Sequence, residues 1–158
     1  MTKLEKLSLH LAALLTGLTG LLYGWLRYYG QVQGEFGPEP HHLQPLMQHL
    51  HVLTAPLLLF ALGLVVRGHL WPKLRSGRPE GRRTGLFLGL VLAPMVMSAY
   101  GLQIATEPAW RMGLAWIHGV TSLLFLLGYG VHLTLTLALR KPVEGTSDTA
   151  EELPLGTA

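Results

Sequence analysis

The sequence contains no cysteine among its 158 residues, and only 13% of these residues are charged. The absence of cysteine excludes disulfides, thiolate zinc sites, cysteine-ligated iron–sulfur clusters and haem attached through a CxxCH motif. A soluble domain carries about 25% charged residues, whereas this chain is 49% hydrophobic with a net charge of only +3. That balance disfavours disordered and nucleic-acid-binding chains. It is typical of a small membrane protein, here with eight histidines.

Asp, Glu, Lys and Arg are also missing from the middle of four long apolar segments. These segments cover about residues 7–29, 46–70, 84–104 and 112–139. Each reaches the ~20 residues that a transmembrane helix requires, and the period-2 alternation of a membrane β-barrel is absent. The sequence therefore predicts an all-α fold, an integral membrane four-helix bundle that forms one domain over residues 1–141. The last residues, 142–158, are polar and acidic and are predicted to form a disordered tail.

Proline marks both a connection and two of the apolar segments. Three prolines occur in the loop over residues 30–45, which predicts an irregular connection on the side opposite the termini. Pro56 and Pro94 lie inside the second and third segments. Each removes a backbone hydrogen bond, so we expect a kink in both helices.

Positive charge is distributed unevenly between the two ends of the segments. Ten of the twelve Lys and Arg residues fall on one side, namely Lys3, Lys6, Arg67, Lys73, Arg75, Arg78, Arg82, Arg83, Arg140 and Lys141. The other side has only Arg27 and Arg111. The positive-inside rule then predicts a multi-pass protein of a bacterial-type inner membrane with both termini cytoplasmic. Topology, with some contact to anionic lipid, accounts for the pI of about 9.5, so no nucleic-acid partner is predicted.

Histidine is the strongly polar residue that recurs inside the segments, where an ionisable side chain is costly and indicates function. His118 and His132 are 14 residues apart, which closes to within ~40° of whole helical turns and spans roughly 21 Å. One helix therefore presents two imidazoles on the same face, one near each membrane surface. His51 matches the depth of His118, and His10 matches the depth of His132.

Two such pairs have the arrangement expected for two metal centres stacked across a bilayer. Neutral imidazole is a good ligand for haem iron, and two imidazoles fill both axial positions. The pairs lack the third and fourth ligands of a zinc site. The sequence therefore predicts two non-covalent b-type haems with bis-histidine ligation, and Arg27 and Arg111 are candidate partners of the haem propionates. The alternative is that the histidines are polar packing groups.

Two other histidines compete for these roles. His49 lies ~200° from His51 on a helix, so only one of them can point at a given haem, and His51 is favoured because it is deeper. His69 lies five whole turns beyond His51 in a regular helix and shares its face. Its position near the membrane surface suits an interfacial anchor, a propionate partner, or a replacement for His10.

The segments HLHVLTAPLLLFALG, ending at Gly63, and WIHGVTSLLFLLGYGVH, ending at His132, resemble a known family. They are similar to the b-type cytochrome subunits of respiratory formate dehydrogenases and nickel–iron hydrogenases. Those four-helix subunits have one ligand early in helix one, one near the start of helix two and two at 14-residue spacing in helix four. A small residue follows the helix-two ligand by four positions, as Ala55 follows His51.

The resemblance implies an electron-transfer subunit that is not catalytic alone. Such subunits take electrons from a peripheral iron–sulfur or multihaem partner and pass them through two haems to membrane menaquinone or ubiquinone. Tyr100, Gln103 and Tyr129 are candidates for a quinone carbonyl, and Arg67, His69 and Trp71 favour a quinone pocket on the cytoplasmic side. The alternatives are a cofactor-free membrane anchor of a larger complex and a histidine-based proton or metal-ion transporter.

Overall fold

The chain is folded almost entirely into helices in the computed structural model, which describes residues 2–75 and 82–138. Its helices are α1 (Lys3–Tyr28), α2 (Gln44–Val65), α3 (Trp71–Arg75), α4 (Arg82–Ile104) and α5 (Pro108–Ala138). Four of these segments, with α2 continuing to Lys73, are long and apolar enough to cross a membrane. The prediction of an all-α chain with four such helices is therefore confirmed. The predicted tail and the cations Arg78, Arg140 and Lys141 lie outside the described residues.

Helix α1 begins four residues before the apolar segment because its first turn is capped by polar side chains. The Glu5 amide donates to Thr2 Oγ1 at 3.1 Å, and the Thr2 amide donates to Glu5 Oε2 at 2.8 Å. This reciprocal pair is a capping box, and its signature TKLE is readable in the sequence. Hydropathy misses it because Lys3 and Lys6 are polar.

The prolines predicted an irregular loop between α1 and α2, but part of this loop has regular structure. Strands β1 (Val32–Gly34) and β2 (Gly37–Glu39) pair in antiparallel register. Gly37 has a φ of 125°, a conformation that side chains disfavour, and it closes the short turn. Pro38 is tolerated because a two-stranded ribbon has only edge strands. The missed signal is the pair of glycines that flank a two-residue turn.

Helix α2 continues into a π-helical turn, Val66–Leu70, before α3 follows. A π turn bonds residues five apart and is wound more loosely than an α-helix. Counting ~100° per residue from His51 therefore no longer places His69 on the same face. Pro56 and Pro94 do not end their helices, since α2 and α4 are continuous through both.

The four long helices pack as two hairpins, α1 with α2 and α4 with α5. The main core lies in the first hairpin and consists of small and aliphatic side chains: Leu9, Ala12, Ala13, Leu58 and Ala61. Alanines allow two helices to approach closely, which is how helices associate in lipid. Tyr129 of α5 packs against this core and stacks on Phe125, so it joins the two hairpins.

The outward faces of all four helices are apolar. Phe60, Leu90 and Leu127 are 69%, 76% and 61% exposed, and each belongs to a different helix. Soluble monomers rarely expose contiguous apolar patches beyond a few hundred Å². Such a surface is one that contacts membrane lipid.

The tight contact between α4 and α5 gives a stability prediction at two neighbouring glycines. A Cβ at Gly128 would lie 2.9 Å from Phe87 and 3.2 Å from Leu88, whereas a Cβ at Gly130 meets nothing within 4 Å. We expect Gly128→Ala to destabilise the fold by roughly 1 kcal/mol, since overpacking outweighs the better helix propensity. Gly130→Ala is the matched control and should be neutral or stabilising. Thermal unfolding followed by circular dichroism in detergent measures both, and equal shifts would contradict the packing.

Candidate functional site

His51 of α2 and His118 of α5 face each other where the two hairpins meet. Their ring centroids are 6.1 Å apart, and the ring planes are inclined by 62°. Both side chains are partly buried. Of the two pairs predicted from helix depth, this is the pair whose rings the fold brings into direct proximity.

The Nδ1 atom of each ring is bonded to the backbone of a neighbouring helix. His51 Nδ1 lies 3.0 Å from the Thr16 carbonyl oxygen of α1, and His118 Nδ1 lies 3.0 Å from the Met95 carbonyl oxygen of α4. A carbonyl oxygen only accepts, so each Nδ1 carries the proton and donates it. The lone pair of each ring is consequently on Nε2, which is the tautomer of a histidine that binds a metal through Nε2.

A glycine makes room for the His51 ring on the surface of α1. A Cβ at Gly20 would lie 2.7 Å from His51 Cε1 and 2.9 Å from Nδ1, closer than real Cβ atoms approach. The ring therefore rests on bare backbone one turn after Thr16. Thr19 Oγ1 is 3.5 Å from His51 Nδ1 on the same side. Thr16, Thr19 and Gly20 together fix where the imidazole points.

The spacing of the two rings fits ligation of one haem iron. An imidazole nitrogen binds a metal at about 2.0–2.1 Å, and the ring centre lies about 1.1 Å further away, so two rings that held one metal ion between them would have centres about 6.2–6.4 Å apart. The observed 6.1 Å is close to this range. In addition, Thr16 Oγ1 is buried without a hydrogen-bond partner among the described residues, next to the carbonyl that holds His51. Such an orphaned hydroxyl is a site for a further polar contact.

The second predicted pair has different surroundings. His10 Nδ1 lies 2.5 Å from the Tyr129 hydroxyl, and His132 Nδ1 lies 2.7 Å from Thr84 Oγ1. Within residues 2–75 and 82–138, no ring contact joins His10 to His132. A hydroxyl can donate as well as accept, so these bonds do not fix the tautomer as the carbonyls do. Nevertheless, in all four predicted ligands the Nδ1 atom lies within hydrogen-bond distance of an oxygen atom.

Three other histidines are placed away from these pairs. His49 lines a groove on the opposite side of α2 from His51. His41 and His42 stack on each other in the loop before α2, and the Leu43 amide donates to His41 Nδ1 at 3.1 Å. Across the described part of the chain, no group of three or more His, Asp and Glu side chains could hold a metal ion. The histidine pairs thus lack the additional ligands of a zinc site.

The two outer arginines have local partners. Arg111 Nη1 donates to the carbonyl oxygens of Leu102 and Ala105, at 3.1 and 2.8 Å. It therefore caps the C-terminal end of α4, where carbonyls lack helical partners and a cation is favoured. Arg27 Nη1 lies 3.5 Å from the Tyr23 hydroxyl and is otherwise exposed. A propionate contact of Arg111 would have to coexist with this cap.

Several residues that hold the histidines were not identified from the sequence. Thr16 and Met95 act through their backbone carbonyls, and a backbone acceptor leaves no signature in residue type. Thr84 entered the sequence analysis only as the first residue of the third apolar segment. Gly20 lies in the first apolar segment, and its spacing from His51 is visible only once α1 packs on α2.

Comparison of the chain with protein-family models, with curated proteins and with solved structures gives no match. The resemblance to cytochrome b subunits therefore stays a prediction, carried by the residues themselves.

The contact between Gly20 and His51 gives a direct test of the site geometry. Gly20→Ala should displace the His51 ring from the Thr16 carbonyl, so the ring loses its fixed Nδ1–H tautomer. Nitrogen-15 chemical shifts of histidine-labelled protein report the tautomer. Gly24→Ala is the matched control one turn along α1, because a Cβ there meets nothing within 4 Å. An unchanged His51 spectrum in Gly20→Ala would refute the packing described.

Proposed function

We propose that this protein is a di-haem b-type membrane cytochrome that relays electrons across the bilayer between a peripheral redox subunit and the quinone pool. The observation that carries this proposal is the outer histidine pair. His51 and His118 face each other at 6.1 Å, and each donates from Nδ1 to a backbone carbonyl, which puts the lone pair of each ring on Nε2. Ser122 Oγ lies 3.5 Å from His118 Nε2, so this hydroxyl would have to turn away from a bound metal.

His51 and His118 would hold the first haem, and His10 and His132 would hold the second. A haem bound there would supply one-electron oxidation and reduction. The chain's own residues do the rest. The Thr16 and Met95 carbonyls orient two rings, and the hydroxyls of Tyr129 and Thr84 bond the Nδ1 atoms of the others.

The proposal of a second haem rests on the distance between two histidines along α5. His118 and His132 are separated by roughly 21 Å along this helix, so two centres would stand one above the other across a membrane. Phe125 and Tyr129 lie between them on α5, with their rings stacked at 6.3 Å and nearly parallel. Phe125 is only 4% exposed. Phe125 therefore contributes a buried aromatic ring to α5 between the two proposed centres.

The direction of insertion and the partner follow from charge and from the missing cysteine. Described cations gather at one end of the hairpins: Lys3, Lys6, Arg67, Lys73, Arg75, Arg82 and Arg83. We assign this end to the cytoplasmic face of a bacterial-type inner membrane. Because the chain has no cysteine, any iron–sulfur donor belongs to a partner subunit. This chain is then one subunit of a quinone-linked oxidoreductase.

The proposal is tested by an absorbance difference spectrum of the purified protein, reduced with dithionite minus oxidised. We expect a b-type α-band, and a pyridine haemochrome assay should count two haems per chain. A well-folded protein without this band would leave the cofactor-free anchor as the better interpretation. One haem per chain would reject the inner pair, whose ligands are not in ring contact.

Single variants separate the two haems. His118→Gly should lose the outer haem only, giving about half the haem content, and added imidazole should restore the band by occupying the vacated space. His132→Gly should have the corresponding effect on the inner haem. His42→Ala, in the loop before α2, is the control and should keep both haems. Circular dichroism checks that each variant is folded, and full haem content in His118→Gly would contradict the assigned ligand.

A further inference from the structure

The β-ribbon formed by β1 and β2 ends in a two-residue turn that carries an aromatic side chain. Glu35 and Phe36 form this turn between two paired glycines. Phe36 is 93% exposed, more than any other large hydrophobic side chain in residues 2–75 and 82–138. Turns of this length favour glycine, asparagine and aspartate, so the turn geometry does not call for an aromatic residue. The exposed ring therefore needs a different explanation.

The ribbon is not buried by the rest of the described chain. Every residue from 31 to 40 other than the two glycines is exposed, including those of both strands. A two-stranded ribbon alone is marginally stable in water, and strands of three residues are at the short end of the usual range. The ribbon accordingly needs a surface to lie on.

The position of the ribbon in the chain places it at the level of the membrane surface. Helix α1 ends in exposed aromatic residues, Trp25, Tyr28 and Tyr29, and such side chains mark the interface between membrane and water. Strand β1 begins four residues after Tyr28. A strand of three residues is only about 10 Å long, and one interfacial layer is roughly 5–8 Å thick. The ribbon is therefore continuous with the aromatic end of α1 and cannot extend far beyond it.

We infer that this ribbon docks on the outer leaflet of the bilayer, with the Phe36 ring inserted among the lipid head groups. An apolar ring gains free energy by leaving water at this depth, whereas the neighbouring Glu35 carboxylate can stay in the hydrated part of the layer. The head-group layer has a lower dielectric constant than bulk water, so it also strengthens the hydrogen bonds between β1 and β2.

The charge of the loop suits zwitterionic lipid. Residues 29–43 include no Lys or Arg, and Glu35 and Glu39 are their only acidic residues. Anionic head groups would repel these carboxylates, whereas the ammonium groups of zwitterionic lipid attract them. A basic protein surface would attract the carboxylates too, but the level of the ribbon beside the aromatic end of α1 favours lipid. The inference requires helices that cross a membrane, and it does not depend on haem.

The absence of cysteine allows a direct test, because one introduced thiol can carry a nitrobenzoxadiazole fluorophore without background labelling. The labelled full chain is placed in phosphatidylcholine nanodiscs. With Phe36→Cys, we expect a blue-shifted emission that loses intensity when the lipid carries a nitroxide near the head group, and that resists quenching by aqueous iodide. Glu35→Cys is the matched control in the same turn, and its probe should stay open to iodide.

A second measurement leaves the turn unlabelled. Phe36→Ser should speed amide hydrogen exchange over residues 32–39 in the same nanodiscs, because the ribbon loses its anchor and is marginal alone. Gln33→Ser replaces another exposed ribbon residue, keeps Phe36, and should leave the exchange nearly unchanged. Circular dichroism checks that the helices of each variant are folded.

Each contrary outcome has a distinct meaning. Equal iodide quenching at both turn positions without lipid quenching would overturn the inference, since the tip would then stand in water. Shielding of the Phe36→Cys probe from iodide without lipid quenching would equally overturn it, and would indicate a protein surface over the tip, such as a second copy of the chain. Either result can occur in protein with or without haem, so failure here is distinguishable from failure of the proposed electron relay.

Discussion

The hydrogen bonds from His51 and His118 to the backbones of neighbouring helices are the interactions on which the arrangement depends. An imidazole inside an apolar helix bundle must bond its N–H, because water is not there to do so. His51 uses the Thr16 carbonyl of α1, and His118 uses the Met95 carbonyl of α4. Each bond ties together the two helices of one hairpin. Each also fixes a tautomer, so the same contact satisfies the ring N–H and leaves the lone pair of the ring on Nε2.

Small residues allow these contacts to form. Gly20 lets the His51 ring lie on α1, and alanines of α1 and α2 bring the two backbones together below it. In lipid, helices gain little from burying apolar surface against each other, so close packing and internal hydrogen bonds must hold the bundle. Larger side chains accordingly face outward, and the buried core is modest. The same packing positions the polar groups from which a ligand site can be made.

The two faces of α2 carry different histidines. Towards α1 and α5 it presents His51, whereas His49 lines a groove together with Gln103 of α4. The sequence analysis treated His49 as a competitor of His51 and Pro56 as the cause of a kink. In the folded chain both residues line a groove.

The four apolar helices follow from the amino-acid sequence alone, because ~20-residue runs without charge have few other stable forms. It also determined which histidines share a helix face and a depth, since α-helical periodicity is regular. Contacts between helices, which helical periodicity does not encode, are visible only in the folded chain. The tertiary structure selected the backbone acceptors of His51 and His118, and the π turn altered the phase of His69. The fold also places the Arg111 guanidinium at the C-terminal end of α4, where it bonds two carbonyl oxygens. These outcomes depend on contacts between segments distant in the chain, where backbone atoms bond regardless of residue type.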